Sequence, residues 1–186
     1  MSPAGRPKGE FRWAQPEGTP VTVNPPPLIG PEQVALIARR VSVIVASRDS
    51  AHRPHLMRAV GRRVSADLRR VTVFMSASSS AAVLADLRAN GLIAVVFSEP
   101  STNRTLQLKG RDAMVAPIEP GDEAVVQTYL LHFIDEIGEL GFNESVARTM
   151  LCATPGDLLA VHFTPEAAFD QTPGPKAGQA LAPAAG

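Results

Sequence analysis

The sequence predicts a mainly β domain with peripheral helices (α+β), whose body is a mostly antiparallel barrel. Three observations predict it. Five short, β-branched, strand-like runs precede the main helix and one follows it. The runs are joined mostly by short turns. Parallel pairing needs crossovers, and only residues 78–91 offer one, so an antiparallel barrel fits better than a doubly wound sheet.

Taken in order, residues 1–30 are rich in Pro and Gly, include Pro25-Pro26-Pro27, and read as an extended N-terminal arm. Phe11 and Trp13 in that arm either dock it on the body or stand exposed. The domain proper is expected over 31–170, with a frayed Pro/Gly/Ala tail over 171–186. A first helix starts at Pro31, a good first-turn residue. Val41–Ser47 reads as a strand. Arg48-Asp49-Ser50 is a turn. His55–Val64 reads as one second strand with Gly61 as a weak point or bulge. Arg70–Ser76 is a third strand. Ser78, Ser79 and Ser80 are placed to cap a helix to about Ala89, stopped by Asn90-Gly91. Leu92–Ser98 is a fourth strand and Arg104–Pro117 a long fifth. Gly121 and Asp122 open an amphipathic helix with Val126, Leu130, Phe133, Ile137 and Leu140 at helical spacing. Gly141 stops it. Asn143 caps a short helix to about Leu151, and Leu158–Phe163 is the sixth strand.

The 186 residues suit one domain with one core. The formal net charge is zero, which argues against a nucleic-acid binder held by phosphate contacts. One cysteine, Cys152, precludes an internal disulfide and suits a reducing compartment. No apolar signal core and no run of ~20 apolar residues is present, so a cytoplasmic protein with no membrane contact is expected. Charge is unevenly spread. Residues 39–70 hold nine arginines against Asp49 and Asp67, whereas 119–144 hold seven acids and no Lys or Arg. That polarity either steers an anionic ligand or reflects two faces that complement each other.

Nucleotide-loop, Walker-type and nucleophile-elbow motifs are missing. His52 and His55 flank Pro54 with no third ligand nearby, so no metal site is assigned. His132 and His162 read as packed or surface histidines rather than catalytic bases. Cys152 has no adjacent histidine or cation and reads as buried filler. The best anion-site candidate is Phe74-Met75-Ser76-Ala77-Ser78-Ser79-Ser80, which carries a strand into a helix N-terminus. Ordinary capping explains the serines equally well. Arg58, Arg62 and Arg63 on the preceding strand strengthen the anion reading, because guanidinium forks match phosphate geometry.

The order Arg53-Pro54, Arg58-Ala59-Val60, Val73-Phe74-Met75-Ser76 with its serine run, Ala94-Val95-Val96-Phe97 and Arg104-Thr105-Leu106-Gln107-Leu108-Lys109-Gly110 resembles the pyridoxamine 5′-phosphate oxidase-like flavin-binding split-barrel superfamily. The resemblance covers about residues 31–118 and rests on order and spacing rather than one motif. It implies a six-stranded, mostly antiparallel split β-barrel of Greek-key type that dimerises and holds flavin mononucleotide (FMN) at the subunit interface. By position, Arg58 matches the arginine that reaches the flavin phosphate. Ala59 and Val60 match the strand lining the isoalloxazine ring. Arg63 matches a lysine of the oxidases. Met75 and Ser76 precede the phosphate loop carrying Ser78, Ser79 and Ser80, and Thr105 falls where the oxidases place a glutamine near the ring. Ala81–Val83 stand where the oxidases carry an Arg-Lys pair, and Val161-His162-Phe163 replaces their C-terminal Arg-x-His. True pyridoxamine phosphate oxidation is therefore not expected.

These readings imply an FMN-dependent oxidoreductase with an unidentified small-molecule substrate, a homodimer, and no assigned catalytic residue, because the flavin carries the hydride chemistry. The alternatives are a split barrel that holds flavin or haem without turnover, and a cofactor-free dimer whose arm docks partners.

Overall fold

The computed structural model describes residues 27–154 and 156–183. Most of the expected arm, including Phe11 and Trp13, lies outside the described residues. Among the described residues, four helices and ten strands form a mostly β chain in which every strand pairing is antiparallel. The strands are β1 (Ser42–Arg48), β2 (Pro54–Arg58), β3 (Gly61–Val64), β4 (Val71–Ser76), β5 (Ile93–Ser98), β6 (Thr105–Gly110), β7 (Met114–Pro117), β8 (Leu158–Phe163), β9 (Ala167–Asp170) and β10 (Gln179–Ala180). The helices are α1 (Pro31–Ala38), α2 (Ala81–Asn90), α3 (Asp122–Glu139) and α4 (Glu144–Met150). Six strands make one sheet in the order β10-β9-β6-β5-β1-β2, and four make the other in the order β3-β4-β8-β7.

The expected count of six strands is corrected to ten among the described residues: two expected strands each divide between the two sheets, and β9 and β10 form where no strand is expected. The expected strand 55–64 breaks at Ala59-Val60. The Ala59 N–H donates to the Val43 carbonyl of β1 at 3.0 Å, while the Val60 N–H donates to the Phe74 carbonyl of β4 at 2.8 Å. One peptide thus hands the chain from the first sheet to the second. The expected strand 104–117 breaks likewise at residues 111–113, giving β6 and β7 in different sheets. The segment 164–166 carries the chain back from β8 to β9. Part of the expected tail folds onto the sheet: the Gly178 N–H donates to the Asp170 carbonyl and the Leu181 N–H to the Ala168 carbonyl.

The strands alternate as their sequence period dictates. In β1, Val43 and Val45 are fully buried, while Ser42, Ile44, Ala46 and Arg48 are half-buried on the outer face. β4 is buried on both faces, with Val71, Val73 and Met75 on one side and Thr72, Phe74 and Ser76 on the other. α3 lies against β3 and turns Val126, Tyr129, Phe133 and Ile137 into the core. The buried Tyr129 hydroxyl accepts the Val43 N–H at 3.2 Å, and burial pushes its pKa up to about 12. Cys152, expected as buried filler, is exposed: Leu151 takes the buried position at the end of α4.

The arginines of 39–70 and the acids of 119–144 meet within the fold at Arg40 and Arg63. Arg63 pairs with Asp122, and also with Glu119 at 3.7 Å. Arg40 pairs with Glu139, and with Asp135 at 4.0 Å. Arg62 donates to the carbonyls of Ile37, Ala38 and Arg39 at 2.8, 2.9 and 2.6 Å, closing the C-terminal end of α1, and its guanidinium stands 5.0 Å from the Tyr129 ring. The complementary-face reading of the charge pattern therefore accounts for Arg40 and Arg63.

Glycine is required at the second corner. A Cβ on Gly110 would sit 2.8 Å from both the Phe163 ring and the Thr164 carbonyl oxygen, and the latter is backbone that cannot swing away. Gly110→Ala is expected to destabilise the fold by about 1–3 kcal/mol, the usual cost of overpacking. Urea unfolding checks this; an unchanged midpoint would show that the corner relaxes freely.

Candidate functional site

The switch at Ala59-Val60 sets where each expected site residue goes. Arg58, the last residue of β2, lies on the outer face of the six-stranded sheet opposite Ile44. Its guanidinium donates to the Ser42 hydroxyl and stands 5.7 Å from the Phe133 ring. Ser42 is the cross-strand partner of Ser98, and Ser98 of Thr105. The Ser98 and Thr105 hydroxyls are 2.8 Å apart, and the Thr105 hydroxyl also donates to the Asn103 carbonyl at 3.0 Å. Arg58, Ser42, Ser98 and Thr105 thus form a polar row across β2, β1, β5 and β6. Two expected residues distant in sequence, Arg58 and Thr105, stand on one face of one sheet, and Ser42 and Ser98 join them. The sequence signal for that row was weak, because single serines inside strands carry no motif.

The remaining expected residues are placed elsewhere. Ala59, Val60 and Met75 have buried side chains. The Ala59 and Val60 amides are used by the two sheets. Arg63 is held by Asp122 and stands 5.8 Å from the Phe74 ring.

The serine run is organised around a carboxylate. Asp157, just before β8, accepts the Ser76 hydroxyl at 2.5 Å, the Ser78 hydroxyl at 2.8 Å and the Ser78 N–H at 2.9 Å. The Ser79 hydroxyl donates to the Ser76 hydroxyl at 2.7 Å. These donors hold the Asp157 carboxyl below the ordinary carboxylate value, Ser76 contributing most and Ser78 next. The loop that was expected to take a phosphate holds an anion of its own chain. Ser80 occupies the N-cap of α2, yet its side chain makes no cap bond, and its buried hydroxyl has no partner among the described residues. Capping therefore does not account for that serine. Asp157 was missed because it lies some eighty residues from the serines.

A second unforeseen cluster fastens α2 to the sheet. Asp86 of α2 accepts the Ser47 hydroxyl at 2.7 Å and the His55 Nδ1–H at 2.8 Å. Its carboxyl is lowered chiefly by His55, against an opposing effect of burial. His162 faces the Thr72 hydroxyl at 2.9 Å, and its pKa is lowered first by burial and then by the charge of Arg70. The His132 Nδ1 is buried with no partner among the described residues.

No protein-family model and no curated protein matches the sequence. Solved structures do match. HupZ from Group A Streptococcus is similar at a TM-score of 0.50 and 15% identity, over 81% of this chain and 99% of that one. A putative pyridoxamine 5′-phosphate oxidase from Lactobacillus delbrueckii has a TM-score of 0.47 and 14% identity, over 76% and 93% of the two chains. A pyridoxamine 5′-phosphate oxidase-related, FMN-binding protein from Nostoc punctiforme has a TM-score of 0.46 and 12% identity, over 80% and 87%.

The Asp157 contacts have a signed pH dependence. A carboxyl lowered in the folded state stabilises its loop above the ordinary value of 3.8, and that contribution is lost as pH falls through the lower folded value. The Ser78 amide resonance is expected to titrate with a midpoint below 3.8 and to lose that titration in Asp157→Asn. A midpoint at or above 3.8 would show that the serines do not grip the carboxylate. At the level of fold, the chain is similar to HupZ.

Proposed function

We propose that the chain is an FMN-binding split-barrel protein and an oxidoreductase with a small-molecule substrate, distinct from a true pyridoxamine phosphate oxidase. The observation that carries the reading is the polar row of Arg58, Ser42, Ser98 and Thr105, which joins two flavin-matched residues on one sheet face. The row suits a phosphate-bearing cofactor. Arg58 has only a neutral hydroxyl and an aromatic ring as partners among the described residues, so its charge is free to meet an anion. Bound flavin supplies the hydride chemistry. Arg58 binds the phosphate, and the Ser42, Ser98 and Thr105 hydroxyls orient the ligand on the sheet. The Ala59-Val60 backbone fixes the height of Arg58 by its two bonds to β1 and β4.

The site is completed by a second copy of the chain. The outer sheet face carries the cross-strand pair Ile44–Val96 beside the 61%-exposed Leu56, an apolar strip that a second copy would cover. A cytoplasmic location accords with the one free cysteine.

A second reading, flavin binding without turnover, is favoured by Asp157. Its carboxylate occupies the Ser76 and Ser78 donors that a phosphate would use, and Ala81–Val83 add no cation. Under that reading FMN binds weakly and Asp157→Asn tightens it, because a negative charge leaves the loop.

Titration of FMN into the protein is expected to quench flavin fluorescence saturably. Arg58→Ala is expected to weaken binding roughly 10- to 100-fold, the range for a lost charge-assisted bond. Absence of quenching would refute the flavin reading. A monomeric mass by light scattering at micromolar concentration would refute the dimer.

A further inference from the structure

We propose a second small-molecule site, at the opposite end of the same sheet face, that takes a planar heterocycle bearing a phosphate, of nucleotide size. A groove of about 710 Å³ opens there and shares none of its lining with the row from Arg58 to Thr105. That volume lies within the 300–1,000 Å³ usual for small-molecule sites.

The floor is made by register. Ala46 pairs with Ala94, Ala94 with Lys109, and Lys109 with Ala167, so three alanines and one lysine cross β1, β5, β6 and β9 in a single row. The next row along the strands carries Ile44, Val96, Gln107 and Phe169. The floor is therefore a shallow step of methyl groups below bulkier side chains, a shape that receives the face of a flat ring.

The walls are cationic. Arg48, Lys109 and Arg111 line the groove against one carboxylate, Glu166. Arg111 and Glu166 pair at 3.4 Å. Arg48 and Lys109 have no carboxylate partner among the described residues. Arg48 donates to His52 Nδ1 at 2.8 Å, and the Lys109 ammonium stands 4.8 Å from the Phe169 ring. Arg48 belongs to β1 and Lys109 to β6, with β5 between them, so the strands that carry the two cations lie roughly 10 Å apart. A ring on the alanine floor between those strands has a cationic residue on either side for its phosphate.

The His52 wall is fixed in place. Asp49 accepts the Ala51 and Arg53 amides at 2.8 and 2.9 Å, which sets the turn, and His52 is held in the left-handed region at φ 62°. Because Arg48 donates to Nδ1, the neutral ring carries its proton on Nε2, a donor for an acceptor atom of the ligand.

The probes are adenosine 5′-monophosphate and uridine 5′-monophosphate, followed in ¹H–¹⁵N correlation spectra of the full chain. Saturable shifts are expected at Ala46, Ala94, Lys109 and Ala167. Adenosine and inorganic phosphate are each expected to bind at least about tenfold more weakly, since each lacks one half of the recognition. Arg48→Ala and Lys109→Gln are each expected to weaken nucleotide binding about tenfold, with FMN quenching unchanged. No saturable shift with either nucleotide at millimolar concentration would overturn the proposal. So would shifts confined to the Arg58–Thr105 end, or unaltered binding in both variants. Displacement of the nucleotide from the groove by FMN would show one flavin site instead of two, and would also overturn it.

Discussion

The peptide between Ala59 and Val60 is the constraint on which the rest of the structure depends. Its two flanking amides serve different sheets, one bonding to β1 and the other to β4. With both amides committed, the chain leaves the first sheet immediately after Arg58 and enters the second at Gly61. Arg58 is thereby left on the outer face of the six-stranded sheet, while Arg62 and Arg63 turn toward α1 and α3. The close packing at Gly61 follows from the same handover: a Cβ there would meet the Phe74 ring at 2.9 Å and Val126 at 3.1 Å.

The arginines then divide by environment. Arg62 closes the open carbonyls of α1 and lies on the Tyr129 ring, so a charge without a carboxylate partner is satisfied by backbone and a π face. Burial lowers its pKa, opposed by Tyr129. Arg63 neutralises Asp122, a fully buried carboxylate at the start of α3. A buried acid left unpaired costs several kcal/mol, so this pair binds α3 to the sheet through necessity more than net gain. Of these three arginines, Arg58 alone has neither a carboxylate nor a row of carbonyls as partner among the described residues. Three residues that read alike in the sequence thus have three roles.

The serine loop illustrates the same competition. Its donors suit an oxyanion, and the nearest oxyanion in the folded chain is Asp157. A phosphate entering that loop would have to displace or share that carboxylate, whereas Arg58 in the row across the sheet has no carboxylate partner among the described residues. The alanine groove carries its cations differently. Arg48 and Lys109 are held by a neutral ring nitrogen and an aromatic face, and neither contact cancels their charge.

The sequence alone determined the β-rich class, the antiparallel pairing, and α3 and α4 with their glycine and asparagine boundaries. Those features rest on local periods and caps, which neighbouring residues set by themselves. The division of 55–64 and 104–117 between two sheets was not legible, because a β-rich run has the same period whether one sheet or two receives it. The partners of the charged and hydroxyl groups were not legible either. Arg63 meets Asp122 fifty-nine residues away, Ser76 meets Asp157 eighty-one away, and Ser98 meets Ser42 across a sheet. Residue type announces that a group can bind an anion. Only the tertiary structure decides whether the chain has already supplied one.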